Sequence, residues 1–140
     1  MRRFALALAL LVAGCSGLPQ GPVTQPDPYP DRGDPTATWR TFLWAWHTGD
    51  VDALQLVTAW RMRDRLESEL ARNSKESVSA WYRDGAQQLE VLDSEWRTHG
   101  EEHAYLHTVL KSEDTARLEI DFAFVRRFDG WVITEDRPIR

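Results

Sequence analysis

After Gly85 the spacing of apolar residues changes from a repeat of 3.6 to a repeat of 2, and that change limits the fold more than any other feature of the chain. Across residues 116–128, Leu118, Ile120, Phe122 and Phe124 alternate with Arg117, Glu119, Asp121 and Ala123. One face of such a strand is apolar and the other mostly polar, the pattern of an antiparallel sheet packed on one side and wet on the other. Asp129-Gly130 is a two-residue hairpin signal that places Phe128 opposite Trp131 and Arg126 opposite Ile133, with a last strand ending near Glu135. Upstream, residues 89–98 and 103–111 read as two further strands joined around Gly100. The inward set of the first slips between Val91 and Leu92, as a β-bulge would make it.

Before Gly85 the repeat is helical. Asp34-Pro35 supplies an N-cap and a proline at the first helical position, and Trp39, Phe42, Leu43 and Trp46 follow at i, i+3, i+4 and i+7. Trp44 points off that stripe, His47 sits at its margin, and Thr48-Gly49 ends the helix. Asp50 caps a short second helix to about Val57, with Val51, Leu54 and Val57 inward. A third runs from about Ala59 to Ala71 and stops at Asn73, with Ala59, Met62, Leu66 and Leu70 spaced for burial. Ser74 caps a fourth, in which Val78, Trp81 and Tyr82 share a face and which Gly85 closes. On that third helix Arg63 to Glu67 and Arg65 to Glu69 are i,i+4 pairs, which makes its arginines a solvated face and not a basic patch. Helices first and then an antiparallel sheet give an α+β two-layer domain, with the N-terminal helices packed into the concave face of a curved sheet.

The first fifteen residues carry a different message. Arg2 and Arg3 precede the apolar run from Phe4 to Ala13, which is too short to span roughly 30 Å of hydrocarbon. Val12-Ala13-Gly14-Cys15 resembles the lipobox of bacterial lipoproteins, and the resemblance implies cleavage before Cys15 and diacylation of its sulfur. Cys15 is the single cysteine of the chain, so a lipidated Cys15 leaves no disulfide to form. The expected organisation is a signal peptide over 1–14, a tether over 15–35 and one α+β domain over 36–140. The tether is rich in proline and glycine, six and three in residues 16–35, a composition that favours extended polyproline-like chain. Ser16 after the cysteine resembles lipoproteins exported to the outer membrane, which implies a lipid-anchored envelope protein on its periplasmic face in a cell that has one.

Cleavage would remove two of the 17 basic residues against 22 acidic ones, a net charge of −7 with neutral histidines. Nucleic acid and anionic lipid surfaces are poor partners for such a chain. The expected partners are the membrane through the anchor, an envelope protein or polymer, a small apolar ligand, or a second copy of the chain in a homodimer.

The aromatic helix of residues 36–53, ending Thr48-Gly49-Asp50-Val51-Asp52-Ala53, and the closing Phe128-Asp129-Gly130-Trp131-Val132-Ile133 resemble the ends of nuclear transport factor 2-like domains. That resemblance implies a cone-shaped fold. In such families the cone holds a steroid-like or polyketide substrate, an isomerase or dehydratase centre, or a partner protein.

Chemistry inside a cone needs an acid or base there. The inward face formed by Leu118, Ile120, Phe122, Phe124, Trp131 and Ile133 meets its first ionisable group only at Arg126. His47, at a helix end, reads as a cation facing the dipole, with a pocket base as the other reading. His99-Gly100-Glu101-Glu102-His103 matches H-x-x-E-H, but that zinc motif needs a helix and Gly100 with a flanking repeat of 2 argues for a turn. A three-residue loop would put His99 across from His103, where two imidazoles could share a metal, and His107 across from Asp121 on the outer face. A two-residue turn would shift these pairs. Of the seven tryptophans, Trp39, Trp46, Trp96, Trp131 and Trp81 are assigned to the core, while Trp44 and Trp60 either pack between helices or stand exposed as partner anchors. Two functions remain: a non-enzymatic binding or interaction module needing no cofactor, or a small cofactor-independent isomerase or dehydratase. An apolar plug in the cone would favour the first, an open pocket with a convergent carboxylate or histidine the second.

Overall fold

The computed structural model describes residues 23–114 and 117–139; Cys15 and the leader lie outside the described residues. Four helices come first, α1 (Pro35–Thr48), α2 (Val51–Val57), α3 (Trp60–Arg72) and α4 (Lys75–Gln87), then four strands, β1 (Leu89–His99), β2 (His103–Ser112), β3 (Leu118–Arg127) and β4 (Gly130–Pro138). The sheet is antiparallel throughout in the order β1-β2-β3-β4. The domain is α+β, with the helices packed on the concave face of a curved sheet.

The helix ends follow the chemistry of their caps. Asp34 accepts a hydrogen bond from Ala37 N at 2.7 Å, with Pro35 in the first turn. Asp50 caps α2 through Ala53 N, Ser74 caps α4 through Ser77 N, and Asn73 ends α3. Gly49 stops α1 in the left-handed region at φ 71°. The core lies between helices and sheet, where Trp39, Phe42 and Leu54 meet Leu106, Phe122 and Phe124. Trp39 and Phe122 have ring centroids 4.8 Å apart.

Sheet curvature comes from three bulges. Val91 pairs Leu110 and Asp93 pairs Val109, so Leu92 is the extra residue expected from the slipping pattern, and a second bulge follows at Arg97. The third is on β4. Phe124 pairs Ile133 but Ala123 pairs Glu135, leaving Thr134 as the extra residue. Beneath this sheet Thr108 is fully buried, and its hydroxyl has no hydrogen-bond partner among the described residues. Thr108→Val removes an unpaired buried hydroxyl and is expected to raise stability by about 1 kcal/mol, read as a higher midpoint in denaturant.

Several expectations need correction. The β3–β4 turn is Phe128-Asp129, with Arg127 opposite Gly130 and Arg126 opposite Trp131. The cause is the chain before α1: Trp131 N donates to Arg32 O at 2.9 Å, and a Cβ on Gly130 would lie 2.9 Å from Arg32. Gly130 thus serves a close backbone approach, and β4 runs on to Pro138, beyond Glu135. Gly85 does not close α4, which continues for two residues. Trp81 is 63% exposed, because Val78 and Tyr82 at i and i+4 take the inward positions. Arg63 pairs with Glu67 as spaced, but Arg65 reaches across to Asp136 of β4 instead of along the helix to Glu69.

Residues 29–34 lie against the domain. Tyr29 donates to Asp50 at 2.6 Å, Asp31 and Thr41 exchange two hydrogen bonds, and Arg32 pairs with Asp129 at 3.2 Å.

Candidate functional site

A cavity of about 330 Å³ opens between the helices and the end of the sheet at which β1 and β3 begin. Phe42 and Trp46 come from α1, Leu54 from α2, Met62, Arg65 and Leu66 from α3, and Trp81, Tyr82 and Gly85 from α4. The sheet supplies Leu89, Leu110, Leu118, Ile120, Phe122 and Asp136, and Thr58 completes the wall. The two main apolar walls have a sequence origin: the stripe of α1 sends Phe42 and Trp46 to one side, and the repeat of 2 in β3 sends Leu118, Ile120 and Phe122 to the facing side. Ligand pockets typically have such a mostly apolar lining, with a few polar groups to fix orientation.

The polar groups are few. Thr58 spends its hydroxyl on Leu54 O at 2.6 Å. Arg65 donates to both oxygens of Asp136, Nη1 to Oδ2 at 3.0 Å and Nη2 to Oδ1 at 2.6 Å, a bidentate geometry. The side chains are 55% and 25% exposed, which puts the pair between the cavity and water. This hydrogen bonding holds the Arg65 guanidinium still more firmly protonated than usual. Tyr82 makes no hydrogen bond among the described residues, and burial first, then the charges of Glu69 and Asp136, push its phenol up, while Arg65 pulls it down.

Arg65 and Asp136 are the site residues that sequence reasoning missed. Plain alternation from Trp131 and Ile133 would send Glu135 inward and Asp136 outward. The bulge at Thr134 reverses that, setting Asp136 opposite Phe122 on the inner face. A bulge of this kind leaves no mark in residue types. The available signal was Arg65 itself, a long basic side chain one position from the buried Leu66.

The residues singled out from sequence lie elsewhere. Trp44, His47, Trp60 and Arg126 do not line this cavity. Trp44 is half-buried on α1. His47 is tied through Nδ1 to Leu43 O at 2.8 Å, one turn back on its own helix. Trp60 is 58% exposed at the start of α3, with φ at 50°, a conformation that costs a non-glycine residue free energy. Arg126 is exposed at the far end of the sheet, where its N–H donates to Glu102 O.

His99 pairs with Ala104, not His103. The one-residue difference puts the two imidazoles on opposite faces of the sheet. His99 instead stacks with Trp131 at 6.4 Å and meets Trp96 edge-on at 5.8 Å. Among the described residues no group of three or more His, Cys, Asp and Glu is placed to hold a metal. His107 and Asp121 do come together as expected on the outer face, Nδ1 to Oδ1 at 2.7 Å, with Glu119 at 3.3 Å from Nε2. This cluster ties β2 to β3 and is remote from the cavity wall.

Among the described residues no helix is long and apolar enough to cross a membrane. No family model and no curated protein matches the chain. A SEC-C motif-containing protein from Rhodopseudomonas palustris is similar in structure at a TM-score of 0.46 and 16% identity, covering 76% of this chain and 80% of that one. A protein described as a nuclear transport factor 2-like transpeptidase from Campylobacter jejuni is similar at 0.42 and 11%, covering 67% and 91%. Likeness of this size concerns the general arrangement of helices and sheet, and it transfers no role to this chain.

Proposed function

We propose that the chain is a membrane-tethered lipoprotein of the cell envelope, carrying a nuclear transport factor 2-like cone that acts as a binding module for a small apolar ligand. The observation that carries the binding reading is the cavity of about 330 Å³, apolar except at a rim where its two charged groups neutralise each other. Burial of apolar ligand surface there is worth roughly 25 cal/mol per Å² before the costs of association. The lipobox residues ending in Cys15 support the envelope location.

Each half has its test. Cys15→Ala is expected to leave an uncleaved precursor or to release the protein from membranes; a processed Cys15→Ala protein that stays in the membrane pellet after a high-salt wash would falsify the lipoprotein reading. For the cavity, the uncharged dye N-phenylnaphthylamine is expected to brighten with the wild-type chain and to lose at least tenfold in affinity with Gly85→Phe. Gly85 lines the cavity, and a Cβ there meets nothing within 4 Å. Equal dye binding by the two proteins would remove the cavity as the binding site.

The second reading, a cofactor-independent isomerase or dehydratase, is favoured by Asp136, a carboxylate turned toward an apolar cavity. A general base must be free to reach substrate, and Arg65 occupies both oxygens of this one.

A further inference from the structure

From the rim of the cavity we infer that the ligand is a single short amphiphile with an uncharged, oxygen-bearing head, and that the Arg65–Asp136 pair selects against charged heads. The inference rests on the binding function proposed above and names the chemistry of its ligand. Three observations carry it.

The first is size. About 330 Å³ lies at the small end of the range for ligand pockets, roughly 300 to 1,000 Å³. That suits one short chain and its head. The second is charge. The cavity's two charged side chains form one bidentate pair, so the rim carries no net charge. A carboxylate head would meet Asp136 as a like charge, and an ammonium head would meet Arg65. Either would give up part of its hydration at a rim where attraction to one member of the pair is offset by repulsion from the other.

The third is the set of unused donors. A guanidinium has five N–H groups, of which Asp136 takes two. No other hydrogen bond from Arg65 is formed among the described residues, and the Tyr82 hydroxyl forms none. Tyr82 lines the same cavity, and its phenol senses the charges of both Arg65 and Asp136. A neutral hydroxyl, ether or carbonyl oxygen offers these donors an acceptor without disturbing the pair. The bulge at Thr134 is what makes this arrangement possible, since it aims Asp136 inward opposite Phe122.

The test uses the full chain in phospholipid nanodiscs and a series of equal chain length: octanol, octanoate and octylammonium. Trp46 and Trp81 line the cavity and report occupancy by fluorescence, with Gly85→Phe in the same discs correcting for partition into lipid. Octanol is expected to bind at least tenfold more tightly than either ion. Tyr82→Phe is expected to weaken octanol severalfold. Asp136→Asn leaves the guanidinium charge unpaired and is expected to turn the preference toward octanoate, while Arg65→Gln turns it toward octylammonium. Because these two variants move the preference in opposite directions, a simple loss of fold cannot imitate them. Equal binding of the three compounds, or octanoate bound best by the wild type, overturns the selection while the binding function stands. No cavity binding of any of the three, with the dye still bound, overturns the inference alone; loss of dye binding as well overturns both.

Discussion

Phe122→Ala is expected to destabilise the domain by about 3 to 5 kcal/mol, whereas Asp121→Ala, one residue away, costs less than about 1 kcal/mol. Phe122 is 3% exposed, with its ring 4.8 Å from that of Trp39 and 6.1 Å from that of Phe42. Truncation therefore removes contacts with both and enlarges a cavity that already exists, where collapse of the surroundings recovers little. Asp121 faces the other way, and its contact with His107 at 2.7 Å lies in a part-exposed outer network. Urea melts of both variants compare the two faces of one strand with nearly the same backbone. Equal costs would mean that the inner and outer faces of β3 are exchanged.

The second large effect is expected at Gly49, where alanine should cost about 2 to 5 kcal/mol. Two causes add. Its φ of 71° is disfavoured by roughly 1 to 2 kcal/mol for a residue with a Cβ. That Cβ would also lie 2.5 Å from the Ser79 carbonyl oxygen and its hydroxyl oxygen, so α4 must shift, an overpacking cost of roughly 1 to 3 kcal/mol. The Ser79 hydroxyl already donates to Gly49 O at 2.6 Å, which fixes how closely α1 and α4 approach. Gly85→Ala provides the contrast. Its Cβ meets nothing within 4 Å and its backbone is helical, so alanine there should stabilise by about 0.5 to 1 kcal/mol. Thermal melts showing the same sign for both glycines would refute this account of Gly49.

The order and type of the elements were legible in the sequence because they depend on short-range rules. Asp34-Pro35, Asp50, Asn73 and Ser74 bound helices where such residues satisfy the end groups, and the alternation in β3 names its own inner face. Registry was less legible. The β3–β4 turn shifted because Arg32, almost a hundred residues away, holds the start of β4. The bulge at Leu92 showed itself in a slipping apolar pattern, whereas Arg97 and Thr134 sit where neighbouring residues give no apolar contrast to slip. That is also why the cavity's charged pair is not legible in the sequence: Asp136 changes face only through Thr134, and Arg65 has an i+4 partner on its own helix in Glu69. The apolar repeats place Trp46 and Phe122 inside, but that a cavity remains between them is a matter of volumes, which periodicity does not report.

The contacts of residues 29–34 have a mechanical consequence. Tension arriving along the chain from its N-terminal side meets four attachments in turn: Tyr29 on the cap of α2, Asp31 on α1, then the side chain and the carbonyl of Arg32 on the β3–β4 turn and the start of β4. The first two spread force over the helical layer and the last two over the sheet. A pull would be shared between both layers before it reached Asp34 and could begin to unwind α1. Two of the cavity's walls, α1 and α2, would take up part of that load through Thr41 and Asp50, whereas α3 and α4 carry none of the four attachments.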